Sequence, residues 1–134
     1  ATRVPGRSNS QGWGSLHIDQ SVEGRPLRSG GRAWSGGFGT HAPSIIQLPV
    51  PSGAQRFTAS AGLDDETAGG RLSFQVYADR QQLWDSGPIN SGEAPRPLDL
   101  DIAGRATLQL VVDPLGDNSY DHADWLEPRF VMGR

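Results

Sequence analysis

The chain contains no cysteine and no lysine. Without cysteine there is no thiol nucleophile, no thiolate metal site and no disulfide staple. The compartment stays open, because a secreted domain with an adequate core does without disulfides. No apolar run approaches the roughly 18 residues that a spanning helix needs. Ala1-Thr2-Arg3-Val4-Pro5 has no apolar segment behind it, so no signal peptide is read here and the chain is taken as an excised domain or mature fragment. Positive charge is also scarce. All 12 basic residues are arginine, against 15 acidic ones, and the net charge is −3 with a pI of about 5.5. No basic field exists to draw nucleic acid. Neither nucleic-acid binding nor membrane insertion is expected.

Turn chemistry is abundant instead. The 134 residues include 18 glycines and 10 prolines, which suits short strands joined by turns and suits long helices badly. Between the turns the apolar residues alternate. Phe57, Ala59 and Ala61 form one set. Leu72, Phe74, Val76 and Ala78 form a second; Leu98, Leu100 and Ile102 a third; Ala106, Leu108, Leu110 and Val112 a fourth. A period of two puts each set on one face of a strand. Shorter candidates cover residues 15–18, 44–48, 82–84 and 125–131. Turn signals stand at Pro49-Val50-Pro51-Ser52-Gly53, Ala68-Gly69-Gly70, Asp85-Ser86-Gly87-Pro88, Ala103-Gly104 and Pro114-Leu115-Gly116-Asp117-Asn118. Eight or nine strands with one-sided apolar faces bury those faces by stacking two antiparallel sheets. The expected class is therefore all-β, a β-sandwich or jelly roll. Residues 1–12 are expected to be a loosely held arm or linker end, and residues 13–134 one domain.

Two polar segments escape the alternation and are read as loops. One is Gly36-Gly37-Phe38-Gly39-Thr40-His41-Ala42-Pro43-Ser44. The other is Gly116-Asp117-Asn118-Ser119-Tyr120-Asp121-His122-Ala123-Asp124-Trp125. The second gathers carboxylates, an amide, an imidazole, a phenol and an indole, the groups that recognise a sugar. Carboxylates and amides meet adjacent hydroxyls with paired hydrogen bonds, and an aromatic face covers the C–H side of the ring. Each residue also has a plainer role: Trp125 as core, His41 and His122 as structural hydrogen-bonders, Asp121 and Asp124 as turn caps, Tyr77 and Trp84 as packing.

Asp64-Asp65-Glu66 offers oxygen ligands, so a structural calcium ion is possible at Asp64 and Asp65, although the spaced pattern of an EF-hand is missing. His41, His122, Asp121 and Asp124 have no zinc-motif spacing. No Gly-x-Ser-x-Gly elbow or phosphate-binding glycine loop is present. A glycosidase pair such as Asp121 and Asp124 would have little cleft to work in.

Four stretches occur in order: Gly37-Phe38-Gly39-Thr40-His41-Ala42-Pro43-Ser44, then Phe57-Thr58-Ala59-Ser60-Ala61-Gly62-Leu63-Asp64-Asp65-Glu66, then Phe74-Gln75-Val76-Tyr77-Ala78-Asp79 with Leu83-Trp84-Asp85-Ser86-Gly87, then Asp121-His122-Ala123-Asp124-Trp125. Together they resemble the NPCBM family, family 51 of the carbohydrate-binding modules, from about Trp13 to Val131. The resemblance implies a jelly roll of the galactose-binding-domain type. It implies a non-catalytic module of a larger bacterial protein, often a glycoside hydrolase, placed outside the cell, in the periplasm or on the cell surface. Some members bind galactose-containing glycans. Site roles pass to His41, Asp121, His122 and Asp124. Trp34 fits the aromatic that usually precedes the first motif. Arg80 departs from the pattern, because glycine often follows the strand aspartate, here Asp79.

The expected function is recognition of a galactose-type glycan without a required cofactor. His41 and Asp124 would anchor hydroxyls, Asn118, Asp121 and His122 would complete the polar set, and Trp125 or Trp34 would stack. The alternative is a structural or protein-interaction sandwich with no sugar ligand. A small metal-dependent hydrolase is a third reading.

Overall fold

The computed structural model describes residues 2–3, 8–11, 17–18, 20–21, 24–66, 70–115 and 122–133. Its strands, in chain order, are β1 (Thr2–Arg3), β2 (Ser8–Gln11), β3 (His17–Ile18), β4 (Arg28–Ser29), β5 (Arg32–Ala33), β6 (Gly37–His41), β7 (Ser44–Pro49), β8 (Ala54–Leu63), β9 (Arg71–Ala78), β10 (Gln81–Asn90), β11 (Arg96–Asp101), β12 (Thr107–Asp113) and β13 (His122–Met132). The first sheet has the order β11-β8-β13-β6-β3, with β1 also paired to β13. The second has the order β10-β9-β12-β7-β2, and β4 and β5 make a small hairpin. Pairing is antiparallel throughout. The expected sandwich is what forms.

The alternation explains the layers. In β9, Leu72, Phe74, Val76 and Ala78 are all buried, while Gln75 and Tyr77 between them are half-buried. In β12 the buried set is Leu108, Leu110 and Val112. Ala106, expected to join it, is exposed in the turn before the strand. The two inner faces share one core. Phe74 of one sheet meets Trp125 of the other edge-on, with centroids 5.2 Å apart, and Phe57 lies 5.7 Å from Phe130. Each such ring contributes about 1.5–3 kcal/mol of burial.

Two of the turn and loop readings change. Asp85-Ser86-Gly87-Pro88 does not end a strand; it is a bulge inside β10, where the register to β9 shifts. The Ser86 hydroxyl accepts the Phe74 N–H at 2.9 Å, and Asp85 accepts from Ser73 at 3.0 Å and from the Gly87 N–H at 2.9 Å. The polar side chains thereby replace the missing ladder bonds. Near the start of the chain, β1 and β2 add to the sheets beside β13 and β7, where strand edges would otherwise stand open. The glycine segment read as a loop is strand β6, whose five residues are all buried.

Candidate functional site

The two motif segments are neighbours in one sheet. β6 and β13 pair so that His122 faces His41, Asp124 faces Gly39 and Trp125 faces Phe38. On its other side β13 pairs with β8, which puts Gly62 opposite Asp124. Successive side chains alternate. Trp125 points into the core, so His122 and Asp124 point to the outer side of the sheet, beside Gly39 and Gly62.

That outer side is roofed. A Cβ on Gly39 would run into the backbone of Gln20 and Ser21, and one on Gly62 would lie 2.6 Å from Ser29 Oγ and 3.1 Å from Pro95. Gln20, Ser21 and Ser29 therefore lie directly on the sheet, and glycine is what admits them. Asp64, Asp65 and Glu66 stitch it down. Ser29 Oγ donates to the Leu63 carbonyl at 2.5 Å, and the Asp65 N–H donates to the Arg28 carbonyl at 2.7 Å. Asp65 accepts the Gly31 N–H at 2.8 Å. Glu66 takes the Ser21 hydroxyl at 2.5 Å on one oxygen and His122 Nδ1 at 2.7 Å on the other.

The electrostatics follow from this burial. Asp124 is 0% exposed, and neither of its carboxyl oxygens has a hydrogen-bond partner among the described residues. Burial, followed by the neighbouring Asp64, Glu66 and Asp65, raises its pKa well above the usual carboxylate range. His41 donates from Nδ1 to the Ala42 carbonyl at 2.7 Å and meets the His122 ring edge-on at 5.2 Å. Burial pushes the His41 pKa down, the backbone bond opposes that, and the charge of His122 adds to it.

The expected site residues now separate. His41 and His122 come together at the end where β6 leaves the sheet and β13 enters it, 6% and 7% exposed. Asp124 is buried below them, with no exposed surface. Trp125 is also 0% exposed; its indole is core, and the expected stacking role is corrected on that ground. Asn118 and Asp121 lie outside the described residues. Trp34 follows the β4–β5 hairpin, half-buried, with Nε1 donating to the Ser29 carbonyl at 3.2 Å and the Arg32 guanidinium 4.2 Å from its ring centre. One face is therefore covered by a cation. Asp64 accepts the N–H groups of Glu66 at 3.0 Å and Arg28 at 3.4 Å. Among the described residues no three ligand-type side chains are grouped to hold a metal ion. Sequence reasoning missed Ser21 and the linking role of Glu66; only the position of Glu66 beside two aspartates hinted at it.

The model of the NPCBM/NEW2 domain matches residues 1–131. The chain belongs to that family. This NPCBM domain is 36% identical over 95% of its length to alpha-1,3-galactosidase B of Akkermansia muciniphila, of which it covers 17%. It spans less than a fifth of each curated relative matched. Among solved structures it resembles the CBM51 of Clostridium perfringens GH95 in complex with methyl-galactose, with a TM-score of 0.87, 30% identity, and 96% and 95% of the two chains covered. A second is CBM51-2 of C. perfringens ZmpB in complex with GlcNAc, with a TM-score of 0.89 and 25% identity, covering 95% of this chain and 30% of that one. The chain is a non-catalytic carbohydrate-binding module. No helix among the described residues is long and apolar enough to cross a membrane.

Proposed function

We propose that this NPCBM domain binds terminal galactose-type sugars at the end of the sandwich where His41 and His122 meet. The observation that carries the reading is the pairing of the two motif strands, which brings both imidazoles to one mouth. The segment holding Asn118 and Asp121 leads directly into His122. Asn118 and Asp121 supply the hydroxyl contacts, the histidines form the floor, and Trp34 stands at the side. Asp124 lies fully buried beneath that floor, and no sugar contact is assigned to it. Affinity for a single sugar lies on the order of mM to µM.

The domain acts by targeting. As part of a larger extracellular or cell-surface protein, it raises the local concentration of an attached enzyme on its glycan. The test is calorimetric titration with methyl galactoside of the wild type and of Asp121→Ala, Asn118→Ala and His41→Ala. Loss of binding in folded variants supports the site. Unchanged binding in all three removes it. A wild type that is folded and inert to every sugar tried returns the domain to the structural or protein-interaction reading.

A further inference from the structure

A second polar hollow lies at the other end of the sandwich. β7 starts at Ser44, beside His41, and ends at Pro49, opposite Thr107. At about 3.3 Å per residue, that end is some 15–20 Å from the histidines. There an open surface hollow of about 310 Å³ is lined by Gln47, Asp79, Arg80, Thr107 and Gln109. This is the low end of ligand-pocket sizes, room for about one sugar ring.

The lining is built by register and by an unusual turn. Gln47 and Gln109 stand directly opposite each other across β7 and β12, and Tyr77 stands opposite Gln109 on the far side. Asp79 and Arg80 form the two-residue turn between β9 and β10, with φ of 47° and 73°. Both angles are left-handed, where this turn type prefers Asn-Gly. Asp79 earns its place by accepting the N–H groups of Ala106 at 3.1 Å and Thr107 at 3.0 Å. Arg80 stands exposed at the edge of the hollow and lines it. Glycine would serve the turn without steric cost. A charged residue held in a disfavoured conformation at the rim of a hollow points to a ligand.

We infer that this cavity is a second glycan subsite that takes one neutral sugar ring. Donors and acceptors are balanced: two amides, a hydroxyl, a guanidinium and a carboxylate of opposite charge. That balance suits vicinal hydroxyls, each both donor and acceptor, better than it suits an anion.

The test is NMR titration of the labelled domain with methyl galactoside and, separately, with N-acetylglucosamine, following the side-chain signals of Gln47, Gln109 and Arg80 and the backbone amides of His41 and His122. The expected result is a saturable shift at the cavity for at least one sugar. In Arg80→Gly that affinity drops about tenfold or more, as the loss of a charge-assisted pair of hydrogen bonds implies, while the Tm stays equal or rises. Shifts confined to the histidine end overturn the second subsite and leave the first standing. Shifts confined to the cavity do the reverse. No shift anywhere removes both, and a lower Tm in Arg80→Gly with unchanged binding makes Arg80 a purely structural residue.

Discussion

His41 lies directly across the sheet from His122, with the two rings edge-on at 5.2 Å. Two imidazolium charges at that distance under a roof are unfavourable. Burial and the facing ring hold the His41 pKa below its ordinary 6.5. The unfolded chain therefore binds more protons as the solution becomes acidic. The contribution of His41 to stability is fully present above pH 6.5 and is lost as pH falls through the folded value. The Tm should decline from pH 7.5 to pH 5.5, and His41→Gln should flatten that decline. An identical slope in the variant would assign the effect to other groups.

Asp124 carries the opposite linkage. Its pKa is raised on folding above 3.8, so its contribution is present below about pH 3.8 and is lost as pH rises through the folded value. Asp124→Asn cannot ionise. In buffer containing EDTA at pH 7 the variant should melt about 3–5 °C higher than the wild type, a gain of about 1 kcal/mol, and the gap should close towards pH 4. A lower Tm would mean that the carboxyl is held as an anion by a partner.

Trp125 and Trp34 should behave differently. Trp125→Phe shrinks a core ring beside Phe74 and removes an indole N–H that has no partner among the described residues. Stability should fall by about 1–2 kcal/mol with methyl-galactoside affinity unchanged in calorimetry. Trp34→Ala should weaken sugar binding with a smaller loss of Tm. If Trp125→Phe alone abolished binding, the assignment of Trp125 to the core would be wrong.

Gly39 and Gly62 offer a paired comparison. An added methyl at Gly39 meets backbone, whereas at Gly62 it meets the side chains of Ser29 and Pro95. Backbone yields less than side chain, so Gly39→Ala should cost more than Gly62→Ala, by about 1–3 kcal/mol against the wild type. Denaturant melts of the two variants would rank them. Equal costs would mean that the roof segment shifts freely.

The sandwich was legible because its core strands follow a plain period-two pattern, as in Leu72, Phe74, Val76 and Ala78. Strand β6 was not, because Gly37 and Gly39 carry no side chain to alternate. The bulge at Asp85 and Ser86 was hidden for a related reason: hydroxyl and carboxylate groups that usually make turns here replace ladder bonds within a strand. Of the site, the sequence held the two histidines and their order. It could not show that Asp124 is sealed, since the residues above it come from positions 20–29, which have no pattern and lie far away in the chain. Arg80 was visible as a departure from the family pattern, but its cavity needs two strands that are adjacent only in space.

One consequence of the topology concerns time. β13, last in chain order, runs between β8 on one side and β6 and β1 on the other. The sheet stays in separate pieces until its final strand is inserted between them. Most of its pairings therefore close long loops, and such high contact order places folding in the millisecond-to-second range. On the ribosome, the domain must wait for its C-terminal strand before the histidine mouth or the roof can exist.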